Sequence, residues 1–186
     1  MVLSQNTTLI RLSLADNGIK GLGARAIFYA LRTNRTLEIF NFSDNRIMDL
    51  GYKCFVEMVS ENRGLCFLNL SQCGIRRLGG KKLAGVLYLN ITLQTLILRG
   101  NDLGGIAVKM LAQELVHNDT LTVLDLAFTD AGSEGSAKVS RALVRLLKSN
   151  TTLKSLTLAE SEFKQRHRQW VLTAQQSPPT CICTFE

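Results

Sequence analysis

The chain contains 186 residues, 46% of them hydrophobic, which is enough for a folded domain with a sizeable core and excludes intrinsic disorder as the default. The formal net charge is +7, but Lys and Arg are spread along the chain, which favours solvated helix faces over a nucleic-acid site. No apolar run reaches the about 18 residues of a membrane span, no signal-peptide pattern opens the chain, and the five cysteines lack zinc-ligand spacing. We therefore expect a cytoplasmic protein with reduced thiols, no membrane contact and no metal.

One short sequence pattern recurs six times along the chain. Its first copy runs from Leu9 to Ile19, with apolar residues at the first, fourth, sixth and eleventh positions. Apolar and polar residues alternate around Leu12 and Leu14, which predicts a short strand with one buried face. Successive copies begin 28 residues apart, except for the last two, which are 32 apart; they start at Leu9, Leu37, Leu65, Leu93, Leu121 and Leu153.

The second half of each copy changes to helical periodicity. Between Leu22 and Leu31 of the first copy, apolar residues recur at three- and four-residue spacing. Leu50, Leu78 and Ile106 take the place of Leu22 in the next three copies, so we expect all four side chains to face the core. Each copy is therefore predicted to be one strand followed by one antiparallel helix.

Stacking of these units determines the predicted fold. Strand–helix units with parallel neighbouring strands are right-handed. Neighbouring strands lie about 4.8 Å apart while packed helices need about 8–10 Å, so the stack of units must curve. The predicted fold is an α/β, right-handed β-α solenoid with a parallel sheet on the concave side and helices on the convex side. We predict that this domain covers residues 1–175, from a partial N-terminal repeat to a last repeat that acts as a cap, and that an irregular tail follows over residues 176–186.

The ends and one insertion depart from the regular period. Val2 and Leu3 match the last two apolar positions of a helix, so we expect the N-terminal end to be covered by further repeats or by another chain. The fifth repeat contains four extra residues, around positions 132–136. We interpret them as a length variation in preference to a binding loop.

An asparagine closes each predicted helix. Because asparagine tolerates the left-handed backbone conformation, we interpret these residues as helix C-terminal caps. Four of the five lie in Asn-x-Thr triplets, but without a secretory signal, capping is favoured over glycosylation. The five are Asn34, Asn62, Asn90, Asn118 and Asn150.

The pattern L-x-x-L-x-L-x-x-N/C-x-L resembles the leucine-rich-repeat family, and the 28-residue period with a helical second half resembles its ribonuclease-inhibitor-like subclass. That subclass includes the repeat regions of NOD-like immune receptors, GTPase-activating proteins for Ran, and many ciliary or cytoskeletal proteins. The resemblance implies a shared scaffold whose members differ on their surfaces. It also implies a structural ladder of side chains that follow the strands and bond neighbouring backbone groups, formed here by Asn17, Asn45, Cys73 and Asn101.

The outward strand positions and the residues just after each strand define a predicted partner-binding surface on the concave face. An apolar centre with a charged rim is typical of a protein interface, although contact with flanking segments is an equal alternative. The apolar residues are Ile39, Phe67, Ile97, Val123 and Phe128, and the polar ones are Arg11, Asn41, Asp44, Asn69, Arg99, Asp125 and Glu160.

Catalytic motifs are missing from the sequence. The two histidines, His117 and His167, are not expected near a serine, cysteine or carboxylate that would form a nucleophile and base pair, and there is no P-loop or dinucleotide fingerprint. We therefore expect no enzyme activity and no cofactor. The predicted function is a protein–protein interaction module or scaffold within a larger cytoplasmic sensor or a ciliary or cytoskeletal assembly.

Two alternatives remain for this function. Ran-type GTPase activation is disfavoured because those family members are longer and carry a strongly acidic tail, whereas this chain is short and basic. RNA binding through the basic helical face is the other alternative.

Overall fold

The computed structural model describes residues 2–133, 135–175 and 181–185. Short strands alternate with helices along these ranges. The strands are β1 (Arg11–Ser13), β2 (Ile39–Asn41), β3 (Phe67–Asn69), β4 (Thr95–Ile97), β5 (Val123–Asp125), β6 (Ser155–Thr157) and β7 (Ile182–Thr184). The helices are α1 (Val2–Gln5), α2 (Gly21–Leu31), α3 (Met48–Glu61), α4 (Arg77–Leu87), α5 (Gly104–Glu114), α6 (Ser136–Ser149) and α7 (Gln165–Thr173), with a 3₁₀ turn over Leu115–His117.

All seven described strands form one parallel sheet, in the order in which they occur along the chain. Equivalent residues of successive repeats pair directly, so that Leu12 lies opposite Phe40 and Phe40 lies opposite Leu68. This register places one residue of each repeat at the same depth in the molecule. The predicted α/β solenoid is therefore confirmed.

The core is a stack of aliphatic layers that becomes aromatic towards the N-terminal end. The central residue of each inner strand, such as Leu96 or Leu124, is buried against the helices. In the first repeats, Phe28 packs against Phe42 and Phe55, with ring centroids 5.2 and 5.5 Å away. These tilted contacts have the geometry that aromatic pairs prefer.

A ladder of side chains joins the repeats just after the strands. Asn45 Nδ2 donates to the carbonyl of Leu14 in the preceding repeat at 2.8 Å, and its Oδ1 accepts from the backbone N–H of Ile19. Asn101 repeats this arrangement with Leu70 and Ile75. The Cys73 thiol donates to the Phe42 carbonyl at 3.2 Å, whereas Asn17, in the first repeat, donates to the carbonyl of Ala15 in its own turn.

The asparagines that close the helices form a second ladder instead of left-handed caps. Asn62, Asn118 and Asn150 have φ of −65°, −87° and −86°, so their backbone is extended, and the left-handed conformation we expected is wrong. Asn62 Nδ2 donates to the carbonyls of Leu31 and Asn34 in the preceding repeat, while its Oδ1 accepts two backbone N–H groups of its own loop. These side chains are buried and fully engaged, so glycosylation of them is incompatible with this fold.

The C-terminal tail contains a strand that sequence analysis missed. Residues 176–186 were expected to be irregular, but Ile182–Thr184 form β7 and pair with β6. Cys181, Cys183 and Phe185 alternate inwards, and the Phe185 ring lies 5.5 Å from that of Phe163. The tail therefore adds a seventh strand to the sheet, and this strand covers the last repeat.

The insertion in the fifth repeat packs closely against the sixth. The backbone N–H of Gly132 donates to the Ser161 carbonyl at 2.6 Å, and a Cβ at position 132 would lie only 2.4 Å from backbone atoms of Glu162 and Phe163. A glycine is required because two backbones touch at this point. The described part of the insertion thus joins two repeats.

Four helix residues expected in the core are exposed. Leu22, Leu50, Leu78 and Ile106 have exposed fractions of 68%, 58%, 63% and 50%. The prediction that they face inwards is wrong, because neighbouring residues of the first turn, such as Gly21 and Gly79, are the buried ones.

Candidate protein-binding surface on the sheet face

Two parallel rows of side chains cover the outward face of the sheet. The first residues of the strands form one row and the third residues form the other, because alternate residues of a strand point the same way. The strand register aligns the first row as Arg11, Ile39, Phe67, Thr95, Val123, Ser155 and Ile182. The second row is Ser13, Asn41, Asn69, Ile97, Asp125, Thr157 and Thr184.

The apolar residues of this face lie in its middle. Ile39 and Phe67 are direct neighbours in the first row, whereas Thr95 separates Phe67 from Val123. Ile97 lies in the second row on the strand between Phe67 and Val123, diagonal to both. All four side chains are half-buried, because strands about 4.8 Å apart shield one another's side chains.

Three polar residues that we predicted as contacts also hold the ends of their strands. The side-chain Oδ1 atoms of Asn41, Asn69 and Asp125 accept the backbone N–H two residues later, at 3.1, 2.9 and 2.9 Å. Asn69 also accepts the hydroxyl of Ser71 at 2.7 Å. Sequence analysis missed this role, although Asn and Asp are the residues that typically make such turns.

The turn after each strand requires a left-handed residue at one repeated position. Asp16, Asp44 and Glu160 adopt φ of 52°, 58° and 49° there, and Gly100 fills the same position in the fourth repeat. Phe128 also adopts this conformation, with φ of 55°, and its side chain is 46% exposed. A bulky side chain at positive φ is unusual and marks strain.

Arg99 and Phe128 come together at the edge of the sheet face. The guanidinium carbon of Arg99 lies 4.6 Å from the centroid of the Phe128 ring, which is cation–π geometry. Both residues belong to the predicted partner-binding set, and they come from neighbouring repeats. The structure thus presents a preformed aromatic and cationic pair to solvent.

The remaining charges of the predicted set surround this region without ion pairs among the described residues. Arg11 is exposed on the edge strand β1, while Asp44 and Glu160 are exposed in the turns after β2 and β6. The sheet face therefore has an apolar middle and a rim of both charge signs.

Comparison with known proteins identifies the repeat. A family model described as "Leucine Rich repeat" matches residues 5–28, 33–56 and 89–112. Three repeats thus match this family model, and the chain has the fold of a leucine-rich-repeat solenoid. A search of curated proteins finds no match.

Two solved structures share this leucine-rich-repeat fold. The structure titled "Leiomodin-1 Actin-Binding Site 2 (ABS2)" has a TM-score of 0.58 and 18% sequence identity, over 92% of this chain and 82% of that one. The tropomodulin C-terminal domain of Caenorhabditis elegans has a TM-score of 0.55 and 13% identity, over 92% of this chain and 86% of that one. Identities this low establish the fold alone.

A serine–histidine contact lies in the last two leucine-rich repeats, contrary to our expectation. Ser136 Oγ lies 2.5 Å from His167 Nδ1, while Arg166 Nε donates to His167 Nε2 at 3.3 Å. Because Nε2 accepts, Nδ1 carries the proton and donates to Ser136, so the imidazole in this form does not act as a base towards that hydroxyl. The four-residue insertion changed the register, which is why sequence spacing did not reveal this contact.

The surroundings of His167 keep it neutral. Burial lowers the pKa of His167 below its usual value, and the nearby charges of Arg166 and Lys164 lower this pKa further. The contact therefore joins α6 to α7 as a neutral hydrogen bond.

The other histidine, His117, is exposed. Within the described residues, none of the helices is long and apolar enough to cross a membrane.

Proposed function

We propose that this chain is a non-enzymatic module that binds another protein through its concave sheet face, centred on Phe67. The observation that carries the proposal is the alignment of Ile39, Phe67, Ile97 and Val123 in the middle of that face, next to the exposed Phe128. Large apolar and aromatic side chains at the centre of a surface, with charges around them, are the usual energetic centre of an interface.

The conformation of Phe128 supports the same surface. Left-handed backbone at a bulky residue costs about 1 kcal/mol or more, and an exposed ring regains little of this in the isolated chain. The equivalent turn position is left-handed in the other five repeats as well, but Phe128 alone places an aromatic ring there. Burial of the Phe128 ring and its Arg99 neighbour against a partner would offset that cost.

We propose that the chain belongs to a cytoskeletal assembly, in preference to an immune-type sensor or a ciliary assembly. Leiomodin-1, whose actin-binding site 2 shares this fold, supports actin as the first partner to examine. Ran-type GTPase activation and RNA binding through the basic helical face receive no comparable support, because neither of the two similar structures is titled as a protein that acts on Ran or binds RNA.

Co-sedimentation with filamentous actin, together with pull-down of monomeric actin, tests this proposal. We expect the wild-type chain to bind one of the two forms, Phe67→Asp to reduce its affinity at least about tenfold, as loss of an interface centre does, and Ile91→Asp to bind normally. Ile91 is a matched control because it is 61% exposed and lies outside the strands. Binding that survives Phe67→Asp would overturn the assignment of the surface, and no binding to either form would overturn the choice of actin.

A further inference from the structure

A row of exposed aliphatic side chains crosses four consecutive helices. The four residues occupy one equivalent position in repeats one to four, in the first turn of each helix, and are 50–68% exposed. Single exposed leucines are common, but four in register form a continuous apolar feature. We call this set the aliphatic row; it consists of Leu22, Leu50, Leu78 and Ile106.

A row of cations runs beside the aliphatic row. Three residues after each aliphatic side chain, and therefore on the same face of the same helix, the sequence has an arginine or a lysine. Of these four cations, only Lys53 makes an ion pair with another described residue, at 3.9 Å from Glu57, a separation that contributes little in solvent. We call this set the basic row; it consists of Arg25, Lys53, Lys81 and Lys109.

The aliphatic row ends at the fifth repeat, whereas the basic row continues. Once the four-residue insertion is taken into account, Lys138 stands in α6 where the aliphatic residue would be, and Arg141 continues the basic row. The apolar feature therefore has a defined end, as expected for a surface that fits a partner of limited length.

The aliphatic row also contains a groove. Leu22 and Leu50 line it together with Met48 and Lys20, and its volume is about 460 Å³. Its size and lining suit one or two aliphatic side chains of a partner next to a cation.

The spacing of the rows matches an α-helix laid across them. Packed helices lie about 8–10 Å apart, and seven residues of an α-helix rise about 10.5 Å. A partner helix of about 22 residues, with one apolar residue in each heptad, would therefore place one side chain at each member of the aliphatic row. Acidic residues along one flank of that helix would face the basic row.

We propose that the aliphatic row and the basic row together bind an acidic amphipathic α-helix of a partner protein, laid across α2 to α5. This surface lies on the helical side of the solenoid and is separate from the sheet face. A membrane surface fits less well, because the aliphatic row is only one side chain wide.

Fluorescence anisotropy with a labelled peptide tests the proposal. The probe is a 24-residue peptide with leucine at every seventh position, glutamate along one flank and alanine elsewhere, and its matched control has lysine in place of glutamate. We expect saturable binding of the acidic peptide and none of the basic one. No saturable binding of the acidic peptide up to about 1 mM would overturn the proposal.

Two double variants locate the binding site. Leu50→Ser with Leu78→Ser should weaken binding at least about tenfold through loss of apolar contact, whereas Ile91→Ser should leave it unchanged. Arg25→Glu with Lys81→Glu should lose the acidic peptide and gain the basic one. Both sets of side chains are on the surface, so circular dichroism should show folded chains, and unchanged binding by either double variant would overturn the proposal.

Vesicles distinguish the membrane alternative. We expect no co-sedimentation of the chain with phosphatidylcholine vesicles containing phosphatidylserine. Co-sedimentation that is lost in the Leu50→Ser, Leu78→Ser variant would overturn the helix proposal in favour of an anionic membrane.

Discussion

Arg99 covers the ring of Phe128 from the neighbouring repeat, with 4.6 Å between the guanidinium carbon and the ring centroid. Phe128 holds this position although its φ of 55° is unfavourable for a bulky side chain. The same turn position carries Asp16, Asp44 or Gly100, which tolerate that conformation more readily, in three other repeats, and Gln72 or Glu160 in the remaining two. The pair therefore combines local strain with an exposed aromatic surface.

Phe128→Asn should separate stability from binding. Asparagine tolerates the left-handed conformation, so relief of strain should offset the lost ring contacts, and the free energy of unfolding should change by less than about 1 kcal/mol. Binding to the partner should weaken at least about tenfold because an interface aromatic is lost. Urea unfolding and the actin assays measure the two quantities, and a variant that binds as well as wild type would remove Phe128 from the interface.

Leu70→Asp should unfold the chain, in contrast to Phe67→Asp. Leu70 is fully buried, so an aspartate there places a charge in the core at a cost of several kcal/mol, whereas Phe67 lies half-buried on the sheet face. Circular dichroism with thermal melting checks both variants. If the two melt at the same temperature, the assignment of inward and outward strand positions is wrong.

The variant Asn62→Ala should show how much the second ladder contributes to the free energy of unfolding. Its amide makes four hydrogen bonds to buried backbone groups, and without them we expect a loss of more than about 3 kcal/mol in the free energy of unfolding. Asn6→Ala is the matched control, since the side-chain oxygen of Asn6 accepts the exposed N–H groups of Thr8 and Leu9. Urea unfolding of both variants gives the comparison, and equal losses would contradict a special role for the buried ladder.

Acidification should destabilise the C-terminal repeats through His167. The pKa of His167 is lowered in the folded chain, so the unfolded chain binds more protons once the pH falls below about 6.5, the ordinary histidine pKa. The free energy of unfolding therefore decreases as the pH falls below that value. The melting temperature of wild type should therefore fall more between pH 8 and pH 5 than that of His167→Gln. Parallel melting curves for the two proteins would refute this assignment.

The repeat period made the strands, the sheet and most of the core predictable, because each residue of one coil meets its equivalent in the next. Structural features that occur only once among the described residues, and so do not follow the repeat, were not predicted. β7 has no full copy of the pattern, and the Ser136–His167 contact follows an insertion that shifts the register. The sequence gives little indication of either feature: only the alternation of Cys181, Cys183 and Phe185 indicated the extra strand.

Helical periodicity alone could not place the aliphatic row. It identifies the apolar positions of each helix but not which of them the neighbouring repeats cover, so Leu22 and its equivalents were assigned to the core. The second asparagine ladder was missed for another reason, because left-handed caps favour the same residue type. A signal for the strain at Phe128 was present, since Asp16, Asp44 and Gly100 share its repeat position.

Site-specific photo-cross-linking tests the central claim most directly. A benzoylphenylalanine placed at position 67, and in a second protein at position 91, would be irradiated in the presence of actin. We predict a covalent product with actin from position 67 and none from position 91. Cross-linking from position 91 alone, or equally from both, would contradict binding through the sheet face.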